Sequence, residues 1–313
     1  MKTGIDDITN NFKPITFDDF DVINDFFKKY PFENCDYNLC NLFSWGMFLK
    51  MEYTIYSGRL IFFNPFYSYL LSPIGEKLSA EELFQINSSF KKANKDIEFF
   101  AVSEEYINDK NISEYFHIEN DENLNNYIYT TEDLVKLPGK KLAKKKNLIS
   151  QFNRLYPESS VKPMEKNDYD EIMDFCYYWR TTHEVGDEYI DIEFAAIKTI
   201  LTHWDLFPCN GLKLYINGKI CAFSVYSPQT ADMATVHFEK YDVNIKGAGQ
   251  AINHETAKVL INDYKYINRE EDMGFAGIRQ AKRSYQPLRM LPYYKLRSLD
   301  FSAQIKYFNT QIP

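Results

Sequence analysis

The stretch that decides the fold is residues 212–260, LKLYINGKICAFSVYSPQTADMATVHFEKYDVNIKGAGQAINHETAKVL. Its first two apolar runs, 212–216 and 220–226, are separated by the pair Asn217-Gly218. Asn-Gly supplies the two positive φ angles of a type I′ turn, so the pattern predicts a tight β-hairpin.

Residues 233–241 follow the hairpin as a third predicted strand. Val236 and Phe238 alternate here with polar residues, and His237 and Glu239 are therefore predicted to share the opposite face. Such a face can carry catalytic groups. A ladder of polar side chains paired across strands is the other interpretation.

A glycine-rich segment follows the third strand and opens a helix near Gly249, and a short strand is predicted at 265–268. Backbone N–H groups at a helix N-terminus, together with the helix dipole, favour phosphate binding. The segment therefore predicts the binding site of an acyl donor, with a tight turn or a plain helix start as the alternative. The predicted donor-binding residues are Asn244, Lys246, Gly247, Ala248, Gly249 and Gln250.

This order of strands, loop and helix resembles the GNAT superfamily of N-acyltransferases, which use acyl-coenzyme A. Gly247 and Gly249 match the glycine positions of the family's loop, whereas Asn244 stands where the family has Gln or Arg. The resemblance implies an α+β fold with a mixed, mainly antiparallel sheet flanked by helices.

A second resemblance rests on residues 267–287, INREEDMGFAGIRQAKRSYQP, and on LPGKK at 137–141. These segments resemble soluble bacterial relatives of the phosphatidylglycerol lysyltransferase C-terminal domain (DUF2156-like). The resemblance implies tandem GNAT-like (acyl-CoA N-acyltransferase) domains. It also implies kinship with enzymes that move an aminoacyl group from charged tRNA to a lipid or a peptide.

The first half of the chain is consistent with a tandem arrangement, because residues 53–72 predict a hairpin and a further strand and residues 80–94 predict a helix. No Gly-x-Gly loop follows these strands. We therefore predict an N-terminal GNAT-like domain, 1–155, without a donor site. The C-terminal GNAT-like domain, 156–313, is predicted to hold it.

The composition bounds the class of protein. A chain of 313 residues with 45% hydrophobic content suffices for two domain cores. No run approaches the ~20 apolar residues of a membrane span, and residues 1–10 lack the pattern of a signal peptide. A cytoplasmic protein with at most transient contact with a membrane surface is expected. Its five scattered cysteines predict no disulfide framework and no metal site.

Two basic segments stand out in a chain of net charge −8. The overall acidity argues against broad nucleic-acid affinity, so these segments predict local binding of phosphate from a nucleotide, a coenzyme or a tRNA end. A solvated helix face is the alternative. The basic residues are Lys140, Lys141, Lys144, Lys145 and Lys146 in the first segment, and Arg279, Lys282, Arg283, Arg289, Lys295 and Arg297 in the second.

Acyl transfer to an amine or hydroxyl needs a base that deprotonates the nucleophile. The candidates are His237 and Glu239 on the third strand, and Glu271 and Asp272 after the last predicted strand. We hypothesise that Glu271 or Asp272 orients or deprotonates the acceptor, although acidic residues also stabilise a helix N-terminus. The predicted substrate-binding residues are Asn268, Arg269, Arg279, Lys282 and Tyr285.

Three functions remain open at this point. The leading one is transfer of an aminoacyl group from aminoacyl-tRNA to an amine or hydroxyl acceptor, without a tightly bound cofactor. The second is acyl-CoA-dependent N-acetylation, which predicts thermal stabilisation by coenzyme A. The third is a non-catalytic nucleotide- or RNA-binding module, whose ligand affinity would not depend on Glu271.

Overall fold

The computed structural model of the protein describes residues 5–182 and 187–299. The strands within these ranges are β1 (Lys13–Pro14), β2 (Glu52–Tyr56), β3 (Arg59–Asn64), β4 (Tyr69–Leu71), β5 (Glu98–Val102), β6 (Phe116–Asn120), β7 (Asn126–Thr130), β8 (Ser160–Pro163), β9 (Asn210–Ile216), β10 (Lys219–Pro228), β11 (Met233–Tyr241), β12 (Tyr266–Asn268), β13 (Arg289–Leu291) and β14 (Tyr294–Ser298). The α-helices are α1 (Phe20–Lys29), α2 (Leu39–Asn41), α3 (Ala80–Lys92), α4 (Glu104–Ile107), α5 (Ile112–Tyr115), α6 (Thr131–Lys136), α7 (Gly139–Leu155), α8 (Tyr169–Thr181), α9 (Asp187–Thr202), α10 (Ala248–Leu260) and α11 (Ala276–Arg283).

The chain forms two compact units that interleave along the sequence. Unit 1 contains the described residues up to Ile15, Leu49–Asp121 and the described residues from Tyr293 onward. Unit 2 contains Thr16–Phe48 and Glu122–Pro292, apart from the gap in the description.

The predicted division into contiguous halves, 1–155 and 156–313, is therefore not the division of the structure. The middle strand β7 pairs with β12 and β13 in unit 2, whereas β14 returns to pair with β5 and β6 in unit 1. These pairings join segments that are distant in sequence, and no local sequence pattern predicts them. The outermost parts of the predicted halves, 1–4 and 300–313, lie outside the described residues.

The sheet of unit 1 has the strand order β1-β2-β3-β4-β5-β14-β6. Its pairs are antiparallel except β4 and β5, which are parallel and are connected through α3. Ser79 caps α3 through a reciprocal capping box with Glu82. Leu83, Ile86 and Phe90 on this helix are buried in the core of the unit.

The sheet of unit 2 has the strand order β13-β7-β12-β11-β10-β9-β8. Its parallel pair is β11 and β12, connected through α10. The predicted hairpin joins β9 to β10, with φ values of 50° at Asn217 and 76° at Gly218. Buried Ile252 and Leu260 belong to α10 and to the same core cluster as Val236 of the sheet.

Both sheets share one plan, in which antiparallel strands are followed by a parallel strand reached through a helix. The predicted α+β class, with mixed, mainly antiparallel sheets flanked by helices, is confirmed. The three strands, the helix near Gly249 and the short strand before Arg269 are confirmed as well.

A β-bulge changes which side chains of β11 share a face. Val225 pairs with Phe238 and its neighbour Tyr226 pairs with Val236, so His237 is the extra residue. Glu239 is paired with Ser224, whereas the His237 ring lies 2.8 Å from the hydroxyl of Ser227. Because residues 224 and 227 of β10 face opposite sides, the predicted shared face of His237 and Glu239 is wrong, and Val236 and Phe238 are likewise on opposite faces.

The loop before α10 is packed tightly against the basic helix α7. A Cβ on Gly247 would lie 2.6 Å from the carbonyl oxygen of Leu148 and 2.9 Å from Cβ of Phe152. Gly247 also has φ of 87°, in the left-handed region. This glycine is required by its backbone conformation and by the close approach of α7.

We expect Gly247→Ala to lower the free energy of unfolding by about 2 to 4 kcal/mol, from left-handed strain and from overpacking. Gly218→Ala is the matched control, because Gly218 has φ of 76° and nothing within 4 Å of an added Cβ. The control should lose only about 1 kcal/mol. Urea unfolding followed by circular dichroism measures both variants, and equal losses would contradict the proposed contact with α7.

Candidate functional site

Unit 2 holds two groups of polar side chains on opposite faces of its sheet. We call the group on the His237 face the acid centre and the group on the Glu239 face the arginine cluster. The acid centre consists of Cys35, Asn41, His237, Glu270, Glu271 and Lys282. The arginine cluster consists of Tyr129, Lys145, Glu239, Asn253, Arg269 and Tyr285.

The acid centre is built on the segment that leaves β12. Asn268 is fully buried, and its side-chain oxygen accepts the amide N–H of Glu270 at 2.7 Å. Glu270 adopts a φ of 56°, a left-handed conformation that is uncommon for residues other than glycine. Its carbonyl oxygen accepts the amide N–H of Tyr127 at 3.1 Å. Asn268, a predicted substrate-binding residue, thus lies in the interior and supports the bend.

Glu270 connects this bend to the sheet. Its Oε1 lies 3.0 Å from Nδ1 of His237 and accepts a hydrogen bond from Nδ2 of Asn41 at 2.8 Å. The other ring nitrogen of His237 lies 2.8 Å from the hydroxyl of Ser227. The His237 side chain is fully buried, so this base candidate supports Glu270 and has no open path to a substrate.

Glu271 is the half-buried carboxyl of the acid centre. Its Oε2 accepts a hydrogen bond from Sγ of Cys35 at 3.3 Å. Burial raises the pKa of the Glu271 carboxyl to about 7, and the adjacent Glu270 and Asp36 carboxylates contribute to the increase. The carboxyl can therefore exchange a proton near neutral pH.

Lys282 lies beside Glu271 and donates a hydrogen bond to its backbone carbonyl oxygen. Burial lowers the pKa of this ammonium group, whereas the negative charges of Glu271 and Glu270 oppose the decrease. Tyr129 fixes the same turn by donating its hydroxyl proton to the carbonyl oxygen of Lys282 at 2.7 Å. Glu271, a predicted base, and Lys282, a predicted substrate-binding residue, are thus neighbours in the structure.

Cys35 and Asn41, with Ser227 behind them, were not predicted from the sequence. Cys35 and Asn41 come from the N-terminal part of unit 2, more than two hundred residues from Glu271 along the chain. The Cys35 thiol is buried, and burial together with the charge of Glu271 raises its pKa. Neither residue belongs to a local motif, so only the tertiary structure identifies them.

The arginine cluster surrounds Glu239 on the opposite face. Arg269 donates to Glu239 at 2.8 Å, and Nδ2 of Asn253 donates to the other carboxylate oxygen at 3.0 Å. The guanidinium of Arg269 lies 5.0 Å from the ring centroid of Tyr285, and Nζ of Lys145 lies 4.2 Å from the same centroid. Glu239, a predicted base, is therefore held as the counter-ion of Arg269, whose side chain is 11% exposed.

Asp272 has a separate partner set. Its carboxylate is 1% exposed and accepts both Nε and Nη2 of Arg279 at 2.8 Å. The hydroxyl of Tyr127 donates to the same carboxylate at 2.5 Å. Hydrogen bonds from Arg279 and Tyr127 outweigh burial and lower the pKa of Asp272 to about 2. Asp272 and Arg279, predicted to act on substrate, here attach α11 to the unit.

The glycine-rich loop is held by hydrogen bonds at its start and by close packing at its end. Asp242 accepts the amide N–H of Asn244 at 2.9 Å and the hydroxyl of Tyr178 at 2.9 Å. Gly249 lies against Tyr241, whose ring would be 2.7 Å from an added Cβ. The first turn of α10 leaves backbone N–H groups without partners inside the helix. The exposure of the loop residues differs: Asn244 and Lys246 are exposed, Gln250 is half-buried, and Gly247, Ala248 and Gly249 are buried.

The two basic segments have different surroundings. On α7, Leu142, Ile149 and Phe152 are buried. The exposed lysines of the helix are Lys140, Lys141, Lys144 and Lys146. The second segment is divided between the units and engaged in ion pairs, namely Arg279–Asp272 and Arg289–Glu33 in unit 2 and Lys295–Asp121 and Arg297–Glu98 in unit 1.

Comparison with known proteins assigns the family. Residues 27–297 match the family described as phosphatidylglycerol lysyltransferase, C-terminal. The chain belongs to this family. Among the residues that the structure describes, no helix is long and apolar enough to cross a membrane.

Solved structures share the fold of this chain. The fold is similar to that of a conserved protein of unknown function from Bacteroides thetaiotaomicron VPI-5482, with a TM-score of 0.84 and 31% identity over 92% of this chain and 99% of that chain. It is also similar to the C-terminal domain of a putative lysylphosphatidylglycerol synthetase from Agrobacterium fabrum, with a TM-score of 0.65 and 14% identity over 94% of this chain and 95% of that one.

A relative from Mycoplasmoides gallisepticum, an uncharacterized protein, is 25% identical over 196 residues, which is 62% of this chain. The matched region spans 61% of the length of that relative.

We expect Asp272→Asn to lower the free energy of unfolding by about 2 kcal/mol at pH 7. This is the stabilisation that results when a carboxyl pKa falls from 3.8 in the unfolded chain to about 2 in the folded protein. The folded-state pKa is depressed, so the stabilisation is present above pH 4 and is lost as the pH falls towards 2. The difference between variant and parent should shrink in that window.

Urea unfolding at a series of pH values tests this expectation, with Asp174→Asn as the control because Asp174 is exposed on α8. A loss for Asp272→Asn that is constant from pH 7 to the acid limit would contradict the ionic role of Asp272.

Proposed function

We propose that the protein is an acyltransferase that moves an aminoacyl group from aminoacyl-tRNA to an amine or hydroxyl acceptor. The observation that carries this proposal is the half-buried Glu271 carboxyl, whose pKa of about 7 suits a general base at neutral pH. Membership of a family named for a lysyltransferase supports the reaction class.

In the proposed reaction, the acceptor nitrogen or oxygen attacks the ester carbonyl that joins the amino acid to the terminal ribose of tRNA. The Glu271 carboxylate takes the acceptor proton as the new bond forms. The ester bond to the ribose oxygen then breaks, and the proton on Glu271 is returned to that oxygen. No bound cofactor is needed for this sequence of steps.

Two features favour aminoacyl-tRNA over acyl-coenzyme A as the donor. Helix α7 packs on the core of unit 2, and its exposed lysines can contact tRNA phosphates. In addition, Leu148 and Phe152 of α7 pack against Gly247, so part of the space around the predicted coenzyme A loop is already occupied by protein. Coenzyme A and a non-catalytic binding role are the competing outcomes of the experiments below.

We expect Glu271→Gln to reduce the rate of transfer by about 10²- to 10⁴-fold at pH 8, because the amide cannot accept the acceptor proton. The parent rate should rise with pH through a midpoint near 7, as the carboxylate form of Glu271 accumulates. The measurement uses bulk tRNA charged with a labelled amino-acid mixture. Phosphatidylglycerol vesicles and a lysine-rich peptide serve as separate acceptors.

The matched control for this measurement is Glu132→Gln, because the Glu132 side chain is 62% exposed on α6. It should retain the parent rate. Full transfer by folded Glu271→Gln would remove Glu271 from the mechanism. Binding of charged tRNA with no transfer by the parent would favour the non-catalytic alternative.

We expect Lys144→Gln to weaken binding of a charged tRNA minihelix and to reduce its salt dependence by about one released counterion, since Lys144 is exposed on α7. The control is Lys28→Gln, because Lys28 is exposed on α1, and it should leave both quantities unchanged. Fluorescence anisotropy at several salt concentrations measures both. Tight binding of coenzyme A that displaces the minihelix, with no effect of Lys144→Gln, would support the acetyltransferase instead.

A further inference from the structure

Glu270 is fixed more firmly than its neighbour Glu271. Its backbone is held in the left-handed conformation by Asn268, and its side chain is 17% exposed. His237 and Asn41 both donate to its Oε1, at 3.0 and 2.8 Å. A carboxylate that accepts from two donors is held in one orientation, so its negative charge has a fixed position beside Glu271.

The donor from the sheet is itself supported. A carboxylate can only accept, so the proton of the contact with Glu270 lies on Nδ1 of His237. Nε2 of the ring lies 2.8 Å from the hydroxyl oxygen of Ser227. The order Ser227–His237–Glu270 matches that of a nucleophilic triad. However, Ser227 is 1% exposed and its hydroxyl also contacts Asn38, so no substrate carbonyl reaches it.

Asn41 links the two carboxylates of the acid centre. Its Nδ2 donates to Glu270 and also to the carbonyl oxygen of Cys35, at 3.1 Å. The thiol of the same Cys35 donates to Glu271. One short segment, residues 35–41, therefore holds Glu270 and contacts Glu271.

Charged groups of both signs act on Glu271. Glu270, Asp36 and Lys282 act on it by charge, and the Cys35 thiol contacts it directly. Lys282 favours the ionised form of Glu271, whereas the carboxylates of Glu270 and Asp36 oppose it. Glu270 contributes more to this opposition than Asp36 does.

We propose that Glu270 is a positioning residue of the acid centre, whose clamped charge sets the pH at which Glu271 gains and loses its proton. This inference rests on the proposed function only in assigning Glu271 the role of base. Glu270 itself contacts no reacting atom. Its negative charge increases the proton affinity of Glu271, so the ionised Glu271 carboxylate is a stronger base.

The test is a carboxyl-carbon NMR titration of the full chain labelled with ¹³C at the glutamate side chains. The resonance absent from Glu271→Gln identifies Glu271. We expect its midpoint to be about 7 in the parent protein. In Glu270→Gln we expect it to fall by about one pH unit, a tenfold change in proton affinity, because the like charge is removed.

His237→Gln provides a second variant and a thermodynamic cycle. This variant lacks the Nδ1–H group that donates to Glu270. It should therefore alter the Glu271 midpoint in the parent but not in the Glu270→Gln background. Asp36→Asn should give a smaller decrease than Glu270→Gln, in line with its smaller influence.

An unchanged Glu271 midpoint in folded Glu270→Gln would overturn the proposal. The titration detects proton affinity whether or not the protein transfers acyl groups, so its failure is distinct from a failure of the proposed function. If transfer activity is measured, its pH midpoint should shift with the NMR midpoint in Glu270→Gln.

Discussion

The bend of the backbone at Glu270 is the constraint on which the acid centre depends. Asn268 is the buried last residue of β12, and its side-chain oxygen accepts the amide N–H of Glu270. This hydrogen bond holds Glu270 in the left-handed region. Left-handed backbone in a residue other than glycine costs free energy and persists where surrounding contacts maintain it. Here those contacts are made by β7, His237 and Asn41, so the strain is held by the same residues that form the site.

The bulge in β11 separates two kinds of electrostatic environment. On one face, His237 supports carboxylates that are crowded together, which favours a protonated Glu271. On the other face, Glu239 is the counter-ion of Arg269 and remains ion-paired. An unbroken alternation would have put His237 beside Glu239 instead, and the extra residue is what directs each of them to a different partner.

The parts of the fold that could be predicted are those encoded by local patterns. Asn217-Gly218 specifies a hairpin, and the apolar spacing of α7 and α10 specifies helices, because turn chemistry and periodicity act over a few residues. The interleaving of the two units depends on the pairing of β7 with β12 and of β14 with β5. These contacts join distant segments and leave no periodic signal.

The candidate site was predictable to a similar extent. Glu271 and Lys282 fall in the stretch that carries the family resemblance, and the structure places them together. Asp272 could not be distinguished from Glu271 by sequence, since only the positions of Arg279 and Tyr127 make one carboxylate strongly acidic and leave the other near neutral. Cys35 and Asn41 required the tertiary structure.

We infer that acyl transfer takes place at Glu271. The most direct test is a crystal structure with a stable analogue of the donor end, an adenosine that carries an amide-linked amino acid on its ribose. We expect the aminoacyl carbonyl carbon to lie about 6 Å from the Glu271 carboxylate, with room between them for an acceptor nitrogen or oxygen. An analogue bound with its carbonyl against Arg269 and Glu239, on the opposite face of the sheet, would contradict it.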